Sequence, residues 1–462
     1  MFKFLPSDTV YAYPNASVLG NRACLDALEA SGPQTEWGGP TALYIHVPFC
    51  ASLCQFCGFA KSIDVRRHVL NRFTDEVCAE IDLMTSHFGL SKRAISAVYF
   101  GGGTASVLSP GQIERILTAL RGAFHILDDA EMTFEGECRT LSRKGYLSDI
   151  RSLGFRRISF GAQTMDAPFR DILNLKPAIA DLARLREEGE ALFDEVCIDF
   201  IYGWPGLGLD HFRNDLDALL DIVNPSSVEL FRFEKLESSP MFLQAMYAHG
   251  LKDLPTDVLV DQHRHARERF ADAGFEQVSY SKFAKPGISS TYTYGGCFYG
   301  YDNGNVIGFG RGAQTFLDGR MWSFGLPEQE HADLLHRNVP PIGIFATYRP
   351  HEREAVSWPR RSFIAADRVP AYRDPEYIAR LRVLEREGYI FHDGQRYRLT
   401  EIGRDWVPNL IHYIMPYAQR RHFRRDEWQS LLEGRCHDGA QQEQISVQLR
   451  DRLQQDYSAI YV

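Results

Sequence analysis

At 462 residues with 44% hydrophobic content, the chain is long enough for one large domain plus a smaller one around an ample core. A net charge of −9 argues against a broad nucleic-acid-binding surface. Nine cysteines, most of them scattered, do not make a secreted disulfide framework, and no apolar run approaches a membrane span. The expectation is a cytoplasmic protein with neither nucleic-acid nor membrane partners.

In chain order, residues 1–40 are rich in Pro, Gly, Asn and Ser, with one helical patch from Ser17 to Ala30. They read as an N-terminal arm lying over the main domain, and Asp8 with the nearby prolines interrupts any apolar leader. An apolar strand from Leu43 to Val47 then runs into Cys50, Cys54 and Cys57, spaced C-x3-C-x2-C on one short loop. Such a loop points three sulfurs at one centre. Three ligands leave one iron of a [4Fe–4S] cluster without a protein thiolate, and a small molecule binds there. A zinc site, which wants a fourth Cys or His, and unrelated buried cysteines are the alternatives.

A helix follows, striped by Val69, Phe73, Val77, Ile81, Met84 and Phe88. Strand Ala94 to Phe100 runs into Gly101-Gly102-Gly103-Thr104, and Ser109-Pro110 forms the N-cap and first turn of a helix striped by Ile113, Ile116, Leu117 and Leu120. Strands Glu131 to Glu137, Arg157 to Ala162, Glu195 to Tyr202 and Ser227 to Phe233 continue the alternation, with helical patterns between them. Strand–helix alternation predicts an α/β fold with a parallel sheet and right-handed crossovers. Six such units suit either a partial, three-quarter TIM-like barrel or an open doubly wound sheet, with chemistry at the C-terminal strand ends in both.

Tyr44-x-His46-x-Pro48-Phe49-Cys50-x3-Cys54-x2-Cys57 resembles the cysteine motif of radical S-adenosylmethionine (SAM) enzymes, in the branch similar to the oxygen-independent coproporphyrinogen dehydrogenase. That resemblance favours the six-stranded partial barrel over the open sheet. It implies that Cys50, Cys54 and Cys57 hold the cluster and that Tyr44, Gly102, Gly103 and Thr104 contribute to the SAM site, the glycine loop holding the SAM amino group. Glu135, in a stretch similar to T-x-E-x-x-P, is implied as a SAM ligand; Glu137 shares its strand face by alternation. Gln163, similar to S-x-G-x-Q, and Asp199, similar to D-x-I-Y-G-L-P-G, complete the set. Lys176 lies in the stretch where the dehydrogenase carries an arginine for the SAM carboxylate. No hydrogen-transfer residue is assigned.

Phe59 stands where the dehydrogenase carries a further cysteine, and Cys-Gly-Phe is more similar to the branch's class C methylases and anaerobic haem-opening methylases. The resemblance therefore implies two SAM molecules and transfer of a methyl or methylene group, by methylation or cyclopropanation, to an sp2 carbon of a conjugated small molecule. An electron donor such as flavodoxin or ferredoxin goes with it. Haem-degrading methylase and coproporphyrinogen-type dehydrogenase are the alternatives, and a haem-binding chaperone without turnover is the reading from another class.

Beyond the alternating units, helix Asp257 to Ala273 and strand Phe275 to Phe283 lead into an aromatic and glycine-rich segment from Tyr292 to Ala313. The domain boundaries expected are 1–40 for the arm, 41–318 for the partial barrel with its extension, and 319–462 for a small α+β lid domain. In the last of these, a helix from Tyr377 to Gly388 precedes a hairpin around Asp393-Gly394. The run Arg420 to Arg425 reads as a solvated helix face.

Overall fold

A computed structural model describes residues 13–14, 19–32, 37–58, 62–233, 240–288, 292–371 and 375–416. The Arg420–Arg425 run, Phe59 and most of the arm before Leu19 lie outside these residues.

Six strands form the parallel run: β1 (Thr41–Val47), β2 (Ala94–Gly102), β3 (His125–Gly136), β4 (Arg157–Gln163), β5 (Glu195–Tyr202) and β6 (Ser227–Arg232). The helices between them follow from local signals. After β1, α1 of the core (Arg67–Phe88) stops at Gly89, which takes the left-handed conformation at φ 63°. After β2, α2 (Pro110–Ala123) starts at Ser109, where a reciprocal Ser–Gln112 capping box and the first-turn proline satisfy the free amides.

Side-chain alternation gives this sheet two unlike faces. Leu43, Ile45, Val98, Phe100, Phe134, Ile158, Phe160, Val196 and Ile198 are fully buried against the helices in one continuous core. The opposite face carries Tyr44, His46, Tyr99, Glu135, Arg157, Ser159, Glu195, Asp199 and Glu229. Parallel strands buried on both faces usually read as unbroken apolar runs, so a polar face opposite the core marks where chemistry is placed.

Among the described residues the sheet is open and has 12 strands, more than the six expected. After β7 (Glu276–Gln277) and β8 (Lys282–Ala284) comes β9 (Asn305–Phe309), which pairs in parallel beside β1. A meander of β10 (Gln314–Leu317), β11 (Arg320–Ser323) and β12 (Ile344–Thr347) extends that edge. The single strand expected from Phe275 to Phe283 is instead the hairpin of β7 and β8, because Ser279 Oγ accepts from the Lys282 amide at 3.1 Å and turns the chain. The boundary expected between residues 318 and 319 falls inside the β10–β11 hairpin.

A second apolar core holds Tyr280, Val356, Trp358, Tyr377, Leu381, Leu384 and Leu410. Its small sheet contains the expected hairpin, Ile390–His392 against Arg396–Leu399. Asp405 ties this unit to helix Thr256–Asp272 by ion pairs to Arg264 at 2.7 Å and Arg267 at 2.6 Å. Among the described residues no helix is long and apolar enough to cross a membrane.

Candidate functional site

The cysteine loop leaves the C-terminal end of β1 and is held at several points. The Cys50 amide donates to Ser62 O at 2.9 Å, and the Ser62 amide donates to Pro48 O at 2.9 Å. Asn174 Nδ2 donates to Leu53 O at 2.7 Å, and the Gln55 amide donates to Leu173 O at 3.0 Å. Arg139 Nη2 reaches Ser52 Oγ at 2.8 Å. Phe56 packs edge-on against Trp204, ring centroids 5.3 Å apart. A cysteine loop anchored at Cys50, Ser52, Leu53, Gln55 and Phe56 by four other segments holds the backbone that carries its thiols.

The glycine loop at the end of β2 lies directly against it. The Gly103 amide donates to Val47 O at 2.9 Å. A Cβ on Gly103 would come within 2.7 Å of Phe49 O and 3.1 Å of Cys50 Sγ. Gly102, at φ +111°, passes so close to His46 that a Cβ would meet Nδ1 at 2.9 Å. Thr104 is buried, with its hydroxyl donated to Gly103 O at 2.7 Å. These approaches fit a group held by Cys50, Cys54 and Cys57 with the backbone of Gly102 and Gly103 at its edge. Among the described residues no three His, Cys, Asp or Glu side chains gather around a single ion; the four-iron cluster implied by the motif is a wider group held by thiolates.

Tyr44 and His46 face this loop from β1. Burial and the nearby Glu135 push the Tyr44 phenol far up, so it stays protonated. Burial, then Arg311, holds the His46 imidazole down at about 4. Neutral His46 shares a hydrogen bond between Nδ1 and the Tyr44 hydroxyl at 3.0 Å, its direction following the imidazole tautomer.

Glu135 and Asp199 stand one strand apart across Ser159: Glu135 pairs in register with Ser159, and Ser159 Oγ donates to Asp199 Oδ1 at 3.2 Å. Glu135 Oε2 accepts from Tyr99 OH at 3.0 Å. Burial first, and Asp199 second, raise the Glu135 carboxyl to about 8. Burial, then Glu229, raises Asp199 to about 6. Two half-buried carboxyls on either side of β4 with raised affinity for protons suit a cationic or hydroxyl-rich ligand.

Of the two glutamates the alternation left together, the structure separates them. Glu135 stays on the polar face, whereas Glu137 lies past the end of β3 and pairs with Arg139 at 3.0 Å. Gln163 sits where β4 bulges against β5, at φ +65°, with its carbonyl accepting from Trp204 Nε1 at 3.4 Å. Lys176 is exposed, away from the buried row. Sequence reasoning missed Tyr99, Asn174, Tyr294 and Glu229. Only the polar alternation of β2 and β6 signalled two of them.

Residues 44–219 match the model of the radical SAM superfamily. An oxygen-independent coproporphyrinogen III oxidase of Pseudomonas aeruginosa is 27% identical over 56% of this chain and 56% of its own length. Anaerobilin synthase of Escherichia coli O157:H7 is 26% identical over 82% of this chain and 84% of its own. The solved coproporphyrinogen III oxidase of Escherichia coli superposes with a TM-score of 0.71 at 21% identity, over 88% of this chain and 97% of that one, which establishes a shared fold. The chain spans about half the length of the coproporphyrinogen oxidases it matches, 56% and 53% in two of them. The cofactors of such a domain are a [4Fe–4S] cluster and SAM.

Proposed function

We propose, for a chain whose residues 44–219 are a radical SAM domain, an enzyme that acts on a tetrapyrrole and opens haem anaerobically. Its main support is breadth of alignment: anaerobilin synthase matches over 82% of the chain and 84% of its own length. Methyl or methylene transfer to an unspecified conjugated molecule, the first expectation from the sequence, gives way to this haem-directed reading. Transfer of a methyl group to haem, with a second SAM, is its finer part. Coproporphyrinogen oxidation is the second reading, supported by oxidases that match over 56% and 54% of the chain.

When bound, the reduced cluster supplies the electron that cleaves SAM and so generates a hydrogen-abstracting group. The chain's own residues position and enclose. Cys50, Cys54 and Cys57 hold the cluster on a loop fixed by Asn174 and Ser62. Gly102, Gly103 and Thr104 bring backbone to SAM, and Glu135, Gln163 and Asp199 accept from its amino and hydroxyl groups. Tyr44, kept protonated and tied to neutral His46, closes the β1 side and takes no proton from the ligand. Curvature of the parallel strands into a partial barrel, and the unit built on the second core as a lid over the strand ends, belong to the same proposal. So do a flavodoxin- or ferredoxin-type electron donor and a reducing cytoplasmic setting.

The test is anaerobic reconstitution followed by incubation with SAM, reductant and either haem or coproporphyrinogen III. Loss of the haem absorption band with formation of a linear tetrapyrrole supports the proposal. Vinyl products from coproporphyrinogen with haem untouched would move the assignment to the second reading.

A further inference from the structure

Glu229 lies in the middle of β6, in register with Asp199 of β5, and is 6% exposed. Its Oε2 accepts from Ser281 Oγ at 3.1 Å, while its Oε1 has no hydrogen-bond partner among the described residues. A buried carboxylate oxygen left without a donor costs desolvation that nothing in the free protein offsets.

The charges around it do not balance. Glu131, Glu135, Glu195, Asp199 and Glu229 share this face with the cations Arg157 and Lys282. Glu195 takes both cations, Arg157 Nε at 3.0 Å and Lys282 Nζ at 2.5 Å, and also the Ser227 hydroxyl at 2.5 Å. Those three contacts hold the Glu195 carboxyl down at about 2 in spite of burial. The groups that face Glu229 are therefore Asp199, Cys197 and Glu195 from β5, Arg157 from β4, Lys282 from β8 and the Tyr292 ring, which covers both cations. Arg157 and Lys282 act on Asp199 and Glu229 through space, yet among the described residues both direct their ion pairs to Glu195 and neither forms one with Asp199 or Glu229, leaving two cations to five carboxyls. Buried Glu229 and half-buried Asp199, side by side in such surroundings, do not both ionise.

We propose that Glu229 is a positioning residue of the SAM pocket: with Asp199 it compensates the ligand's sulfonium charge, and the pair releases a proton to solvent when that cation binds. This rests on the reading of the β1–β5 strand ends as the SAM site. No bond in the ligand changes; a positive charge enters and a proton leaves, so SAM binding tightens as pH rises.

The experiment is calorimetric titration of anaerobically reconstituted, unreduced protein with SAM and with S-adenosylhomocysteine, which lacks the sulfonium. Two buffers of different ionisation enthalpy near pH 6 give the number of protons released. Wild-type protein should release a substantial fraction of one proton per SAM and clearly less per S-adenosylhomocysteine. Glu229→Gln, which keeps the shape and removes the charge, should lose most of that release. It should weaken SAM about tenfold more than S-adenosylhomocysteine, a preference of about 1.4 kcal/mol. Binding of S-adenosylhomocysteine by the variant reports that it is folded. Unchanged release and unchanged preference in the variant overturn the proposal. Wild-type protein that binds SAM without releasing a proton overturns it whether or not the variant folds. Wild-type protein that does not bind SAM overturns the pocket reading beneath it.

Discussion

Tyr99 donates its hydroxyl hydrogen to Glu135 Oε2 across 3.0 Å, and the Tyr294 ring lies stacked on Tyr99 with centroids 4.4 Å apart. The carboxylate assigned to SAM is thus fixed from β2 and from helix Thr293–Tyr299, not from its own strand. Tyr99→Phe removes that donor and keeps the ring in the stack. Glu135 keeps its proton near neutral pH, so this bond contributes about 0.5–1.5 kcal/mol, and SAM affinity should fall roughly two- to tenfold with little change in melting temperature. Equilibrium binding of SAM to the reconstituted variant checks this.

Gly103→Ala should empty the cysteine site. The added Cβ would press on Phe49 O and Cys50 Sγ at 2.7 and 3.1 Å, both on the loop's fixed first turn. Neither neighbour is the far end of a flexible side chain, so the loop has to move. Iron and sulfide analysis after reconstitution should show a marked loss of cluster, while Gly111→Ala, whose Cβ meets nothing within 4 Å, should keep it.

Asn174→Ala tests the support of the cysteine loop from the β4 side. Loss of the bond to Leu53 O leaves a carbonyl beside Cys54 without its donor. The cost in stability should be about 1 kcal/mol. The larger effect should be faster loss of cluster on exposure to a chelator, read from the decay of the cluster absorption.

Glu135 gives stability a pH dependence of predictable sign. Its folded carboxyl sits at about 8 against a reference of 4.5, so above 4.5 the folded state holds a proton that the unfolded state has lost. Stability falls as pH rises through that window. His46 and His263, lowered to about 4 and about 3, act in the opposite sense only below their reference of 6.5. Above about pH 7 the histidines no longer contribute, and Glu76, Glu131 and Glu229, also raised by burial, act in the same sense as Glu135. Denaturant midpoints of the cofactor-free chain should drop between about pH 7 and 8.5, and Glu135→Gln should flatten the slope in part.

The parts legible in the sequence were those carried by short-range signals. Cys50, Cys54 and Cys57 declare themselves by spacing, the Ser109–Gln112 cap by its residues, and β1 to β6 by apolar runs separated by helical stripes. What escaped depends on distant pairing. β9 reads as a turn-rich glycine segment because Gly308 and Gly310 leave little strand propensity, yet it pairs with β1. A Cβ on Gly308 would meet Gln314 O at 2.5 Å, and one on Gly310 would meet His46 O at 2.4 Å, so close packing and not propensity selects these residues. Glu229 and Tyr99 were passed over for a related reason: each is an unremarked polar residue in a strand, and only the register across three strands shows what it faces.

The most direct test is the yield of 5′-deoxyadenosine from anaerobically reconstituted protein given SAM, reductant and haem, with Cys54→Ala alongside. The account predicts haem-dependent 5′-deoxyadenosine from the wild type and essentially none from the variant. Cleavage that proceeds equally well in the variant, or wild-type protein that cleaves no SAM, would contradict it.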